Sequence, residues 1–215
     1  REWRSTVGGY KAAEQRHIEA VKWDATPIIS PRVVRDLRAA LEPGAVVTVD
    51  SGNFNYWVQR YYEARTPGAY IYPAATGTMG CGLPSAMGVK LAFPEMQVVA
   101  VAGDGGFMMT MQDLETCVRE KINVVVVVLN NFSYGNIKIR QQTAFGNRLI
   151  GSEYANPDFA ALAGLFGAHG ETVRAPAELK PALDRALAAG KPAVIDVHVD
   201  PDEICTATIE RWWAP

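Results

Sequence analysis

Two short stretches carry oxygen donors at a spacing that suits a metal ion. Gly103-Asp104-Gly105-Gly106 follows the apolar run Val98 to Ala102, and Asn130-Asn131-Phe132-Ser133 follows the run Val124 to Leu129. Asp104 offers a carboxylate, Asn131 an amide oxygen, and the loop after it backbone carbonyls. Mg²⁺ accepts one or two such hard protein oxygens and completes its octahedron with phosphates and water. Gly105 and Gly106 present bare N–H groups near the start of the next helix, where an anion is favoured. Together these features predict a metal bridging a diphosphate.

Other chemistries fit these residues less well. Met108 stands where the third glycine of a dinucleotide fingerprint belongs, Gly80-x-Gly82 ends in Ser85, and no P-loop lysine pattern occurs. Ser51 lies in no nucleophile elbow. His17, His169 and His198 are scattered, and His198 reads as a packed strand residue. Cys81, Cys117 and Cys205 are too few, too dispersed and odd in number for a disulfide framework or a zinc knuckle. Lys180, Arg185 and Lys191 read as a solvated helix face. Trp212-Trp213 reads as a clamp for the tail, or as a cover for the site or a partner's surface.

The elements that must position the two oxygen-bearing loops alternate between strand and helix. Ser30-Pro31 reads as an N-cap followed by a first-turn proline, with apolar residues at helical spacing to Leu41 and a stop at Pro43-Gly44. Strands are expected at 45–49, 69–72, 98–102, 124–129, 169–173 and 193–199. Helices are expected at 54–62, from Pro84 to about Phe93, from about Met111 to Glu120, from Asn156-Pro157, and at 177–189. Continuous apolar strands between helices predict an α/β fold, an open and mostly parallel sheet with helices on both faces. Asp104 and Asn131 stand 27 positions apart, the length of one helix and one strand, so a parallel crossover brings both to the same rim of the sheet.

Composition agrees with such a domain. The 215 residues are 48% hydrophobic and 20% charged, enough for a core and without a sign of disorder. A net charge of −2 speaks against a nucleic-acid partner held by bulk charge. No apolar run approaches the ~20 residues of a membrane helix, and no signal peptide opens the chain, so the default expectation is a soluble cytoplasmic protein. The chain starts at Arg1 rather than Met, which reads as a piece of a longer polypeptide or a processed subunit. Residues 1–26 read as a helix and linker leaving a preceding domain, 27–200 as the diphosphate-binding domain, and 201–215 as a C-terminal tail.

Gly103-Asp104-Gly105 followed by Asn130-Asn131 resembles the signature of thiamine diphosphate (ThDP) enzymes. Gly106 to Leu114 and Gly77-Thr-Met-Gly-Cys-Gly-Leu-Pro-Ser-Ala86 are similar to the acetolactate synthase branch of that family. The resemblance covers roughly Ser30 to Asp200 and implies the ThDP-binding fold of the family's C-terminal domain. It implies that Asp104, the side chain of Asn131 and the backbone carbonyl of Ser133 bind Mg²⁺. Ser51, Gly52, Asn53, Thr78, Gly103, Gly105, Gly106, Tyr134, Gly135 and Asn136 would complete the cofactor pocket. Gly77 would accept a hydrogen bond from the aminopyrimidine, and Met79 would be the apolar wedge that bends the cofactor; without the flanking glycines Met79 reads as core.

The resemblance further implies cleavage of a 2-oxo acid or a related C–C bond, with the acyl or aldehyde unit transferred or released. A decarboxylase and a 2-hydroxyacyl-CoA lyase-type subunit are the neighbouring readings, and a non-catalytic regulatory or binding module is the reading from another class. The activating glutamate is expected from a pyrimidine-binding domain or separate subunit, in a dimer or tetramer-type hetero-oligomer. A flavin carried by some relatives would sit mainly in a middle domain. Two positions depart from the acetolactate synthase pattern: Arg140 stands where a tryptophan is usual, and Asn136 where a methionine is. Both make the pocket more polar and more cationic, so Arg140 or Lys138 is expected to recognise an acidic substrate or a CoA phosphate.

Overall fold

A computed structural model describes residues 2–73 and 75–205; Trp212-Trp213 lies outside the described residues. In chain order the elements are α1 (Glu2–Ala20), α2 (Ser30–Ala40), β1 (Val46–Val49), α3 (Phe54–Tyr61), β2 (Tyr70–Ile71), α4 (Gly82–Ala92), β3 (Val98–Gly103), α5 (Asp104–Thr110), α6 (Asp113–Arg119), β4 (Val125–Asn130), α7 (Gly135–Ala144), α8 (Phe159–Leu165), β5 (His169–Val173), α9 (Pro176–Ala188) and β6 (Ala193–His198). No helix among the described residues is long and apolar enough to cross a membrane.

Among the described residues six strands form one sheet in the order β2-β1-β3-β4-β6-β5, and every neighbouring pair is parallel. Alternation along each strand explains the two-sided core. Val47, Val49, Val99, Val101, Val125, Val127, Ile195 and Val197 face α2, α3 and α9 in one apolar cluster. Val98, Ala100, Ala102, Val126, Val128 and Val194 face Leu83, Phe107, Leu114 and Phe159 in the other. A strand buried on both faces has no polar face to show, which is why these strands read as unbroken Val-rich runs.

The chain leaves β1 toward β2 on one side and returns to β3 on the other. That reversal opens a crevice beyond the carboxyl ends of β1 and β3, where open α/β sheets bind ligands. β4 lies next to β3, with Gly103 opposite Leu129, so the loops after β1, β3 and β4 meet at one rim.

Several local expectations are corrected. Ser30 is the first residue of α2 and not its cap; the cap is Ile29, and the Ser30 N–H donates to Glu203 Oε2 at 2.8 Å. A carboxylate from beyond β6 thus does the work expected of a local hydroxyl. Helix α8 is capped by Asp158, whose side chain accepts the Ala161 N–H at 2.9 Å, two residues after the expected start. The segment after Asp104 turns at once into α5, anchored by Phe107, which is buried against Phe159 at a ring distance of 5.3 Å. Helix α7 has no counterpart in the expected elements: Lys138 is its one buried residue, so no apolar stripe marks it.

Candidate active site

The loop after β1 is organised by a buried carboxylate. Both oxygens of Asp50 accept the Gly80 N–H, at 2.9 and 3.0 Å, and Oδ1 also accepts the Ser51 N–H at 2.6 Å. Burial raises the Asp50 pKa, opposed by these backbone N–H groups. Thr48 Oγ1 donates to the Gly82 carbonyl at 2.8 Å, and Thr110 Oγ1 to the Gly80 carbonyl at 3.0 Å. The glycine-rich segment is therefore clamped from β1 and α5. Its turn needs left-handed backbone at Gly77 and Gly80, with φ of +59° and +82°.

Asp104 follows β3 as the first residue of α5 and is 2% exposed. Its Oδ1 accepts the N–H of Gly105 at 3.0 Å, and Oδ2 accepts Asn156 Nδ2 at 2.8 Å. Burial lifts its pKa to about 6 against those hydrogen bonds. A Cβ on Gly105 would lie 2.7 Å from Tyr134 Cε1 and from the Tyr154 hydroxyl; one on Gly106 would lie 2.6 Å from Asp50 Oδ2. Neither position has room for a side chain, so the backbone stays bare.

In the third loop, Asn131 Oδ1 accepts the Ser133 N–H at 3.2 Å, and Phe132 between them is left-handed with φ +56°. The Ser133 hydroxyl is buried without a hydrogen-bond partner. Gly135 packs so tightly that a Cβ there would meet Asn53 Cβ at 3.0 Å and Asn131 Nδ2 at 3.2 Å.

These loops enclose a cavity of about 240 Å³. Ser51, Gly52, Asn53, Gly77, Met79, Gly103, Asp104, Gly105, Gly106, Asn131, Ser133, Tyr134, Gly135 and Asn136 all line it. Thr78 lies outside, its hydroxyl 2.6 Å from that of Thr76. Lys138 also lies outside that lining: its ammonium is held by Asp202 at 2.9 Å and Glu153 at 3.0 Å. Arg140 is exposed on α7 and does not line the cavity either.

No motif in the sequence marks Asp50, Asn156 or Glu203 as site residues. Glu203 lines the cavity beside Ser30, and burial lifts its pKa to about 7. Each acts through a partner distant along the chain, and no local spacing signals that.

A doubly wound parallel sheet with one carboxylate, one amide oxygen and a backbone cradle at its switch point defines an α/β domain of the kind that binds its ligand beyond the carboxyl ends of the strands. Residues 50–197 match the C-terminal TPP binding domain of the thiamine pyrophosphate enzymes, and the chain belongs to that family.

The chain is 41% identical over 174 residues to the Bacillus subtilis protein YdaP, named for containing thiamine pyrophosphate; the match covers 81% of this chain and 30% of that one. It is 34% identical to the acetolactate synthase isozyme 2 large subunit of Escherichia coli, covering 80% and 32%. Among solved structures it is similar to the thiamine diphosphate-dependent 4-hydroxybenzoylformate decarboxylase of Rhodococcus jostii, at 28% identity and a TM-score of 0.77, over 83% of this chain and 34% of that one. The chain spans about a third of the length of these relatives.

Proposed function

We propose that this domain holds thiamine diphosphate through Mg²⁺ bound by Asp104, the side chain of Asn131 and the backbone carbonyl of Ser133, and serves an enzyme that cleaves 2-oxo acids. The observation that carries the reading is the β3–β4 register: it sets Asp104 and the Asn131–Ser133 loop around one cavity in which Gly105 and Gly106 leave no room for a side chain. The donor set fits the ion, because Mg²⁺ takes few protein oxygens and leaves the rest of its shell to phosphate and water. The buried, unpartnered Ser133 hydroxyl is a further polar atom awaiting a partner at this rim.

Bound thiamine diphosphate supplies a carbon nucleophile and an electron sink for the C–C bond being broken. The chain's own residues position and exclude. Asp50 fixes the Gly77–Gly80 turn, which brings Gly77 and Met79 to the wall of the cavity. Gly105 and Gly106 let backbone approach the diphosphate closely, and Tyr134 walls that side. The activating glutamate comes from a pyrimidine-binding domain or subunit, in a dimer or tetramer, so turnover requires that partner. Acyl transfer to a second carbonyl is the first reading, after the acetolactate synthases; release as an aldehyde is the second, favoured by the likeness to a decarboxylase.

The test is thermal unfolding of the chain with ThDP and Mg²⁺. A ligand at 100 times its Kd adds about 2.7 kcal/mol to the folded state, so the midpoint should rise by several degrees and fall back with EDTA. No shift at saturating cofactor overturns the reading. A shift without 2-oxo acid turnover, after the glutamate-bearing partner is supplied, would instead identify a non-catalytic binding module.

A further inference from the structure

Asn156 sits at the junction of α8 and the rim, and no role in the reading above falls to it. Its Nδ2 donates to Asp104 Oδ2 and to Asn130 Oδ1, both at 2.8 Å. Asn130 is braced in turn: its Nδ2 donates to Asp196 Oδ1 at 3.0 Å, and both residues are 1% exposed. The other Asp196 oxygen lies 3.5 Å from His198 Nε2. The Asn156 amide is thus fixed through both of its hydrogens, by Asp104 at the start of α5 and by the buried Asn130–Asp196 pair that joins β4 to β6.

The consequence falls on Asp104. One of its oxygens, Oδ2, accepts a side chain from another element, while Oδ1 accepts the N–H of its own neighbour Gly105. A cation that takes a single carboxylate oxygen can do so with the Asn156 bond intact. A cation that takes both must displace it. Mg²⁺ demands a near-ideal octahedron of single oxygens, whereas Ca²⁺ accommodates six to eight ligands and takes carboxylates through one oxygen or two. Hydrogen-bond partners of metal-ligating carboxylates commonly shift metal affinity by about 10- to 100-fold.

We propose that Asn156 is a positioning residue that sets the divalent-cation preference of this site, favouring Mg²⁺ over Ca²⁺ by withholding one oxygen of Asp104. The inference rests on the proposed metal role of Asp104 and Asn131.

The experiment titrates Mg²⁺ and Ca²⁺ separately against the full chain at fixed ThDP, reading the thermal midpoint, for the wild type, Asn156→Ala and Asn156→Ser. The serine variant keeps a short donor and keeps the test open should the alanine protein not fold. The wild type is expected to half-saturate at lower Mg²⁺ than Ca²⁺. In Asn156→Ala the ratio of the two half-saturating concentrations should narrow by about 10-fold, and Asn156→Ser should fall between. An unchanged ratio in a folded variant overturns the inference, as does an equal loss of both affinities, which marks a purely structural role. If the wild type responds to neither cation, the diphosphate reading fails and this inference with it.

Discussion

Asp50 grips the Gly80 backbone N–H with both carboxylate oxygens, at 2.9 and 3.0 Å, and so ties the end of β1 to the turn that carries Gly77 and Met79. The bond joins residues thirty positions apart, and both partners are buried. Removing it leaves a buried N–H unpaired, at a cost of about 1–3 kcal/mol. Asp50→Ala is therefore expected to lower the unfolding midpoint by several degrees and to weaken ThDP binding. Asp50→Asn, which keeps one acceptor oxygen, should recover most of the stability. Calorimetry of the three proteins with and without cofactor checks both statements.

The glycines divide into those the site needs and those it does not. A Cβ at Gly106 would sit 2.6 Å from Asp50 Oδ2, an atom already held by Gly80, so neither side can yield easily. Gly106→Ala should destabilise the fold by about 1–3 kcal/mol, the usual cost of overpacking, and abolish the ThDP-dependent shift. Gly88, exposed in the middle of α4 with nothing within 4 Å, is the control. Gly88→Ala should raise stability by about 0.5–1 kcal/mol through helix propensity alone and leave cofactor binding unchanged. Chemical denaturation of both variants decides it.

Met79 lines the cavity yet is 37% exposed, so little of the chain's own core depends on it. Met79→Ala is expected to leave the cofactor-free midpoint within about one degree, as surface substitutions generally do. The same variant should need several-fold more ThDP to reach the stabilised state. If the cofactor-free protein instead loses several degrees, Met79 is packing and not a wall of the site. Paired melts across a ThDP series separate the two outcomes.

How much of this was legible in the sequence depends on the range over which each residue acts. The Val-rich strands declare themselves because burial on both faces favours apolar residues at nearly every position. The meeting of Asp104 with the Asn131 loop follows from the length of one parallel crossover. Helix α5 is hidden because Asp104-Gly105-Gly106 has the composition of a turn, and its anchor, Phe107 against Phe159, is a contact distant along the chain. Helix α7 was hidden because a helix exposed on most of its surface leaves no periodic trace. Asp50, Asn156 and Glu203 were invisible for another reason: their partners Gly80, Asp104 and Ser30 lie 30, 52 and 173 positions away. The charge of Lys138 is plain in the sequence, but Glu153 and Asp202 occupy it outside the cavity lining.

Glu203 couples the stability of the domain to pH. Burial raises its pKa to about 7, with the Ser30 hydrogen bonds opposing and the charge of Asp200 adding to the shift. A carboxyl whose folded pKa lies above its unfolded value of about 4.3 holds its proton longer in the native state. The stabilisation is complete below the unfolded pKa and is lost as pH rises through the folded one. Between about pH 4.5 and 7 this group therefore makes the cofactor-free chain less stable as the solution becomes more alkaline. Glu203→Gln removes the titration but keeps an oxygen to accept the Ser30 N–H that starts α2. The variant should match the wild type near pH 4.5 and exceed it at pH 8, with a flatter dependence between; melting both proteins at half-unit intervals reads the difference. A wild-type slope that survives the substitution would assign it to the other buried carboxyls with raised pKa values, Asp50, Asp104 and Asp196.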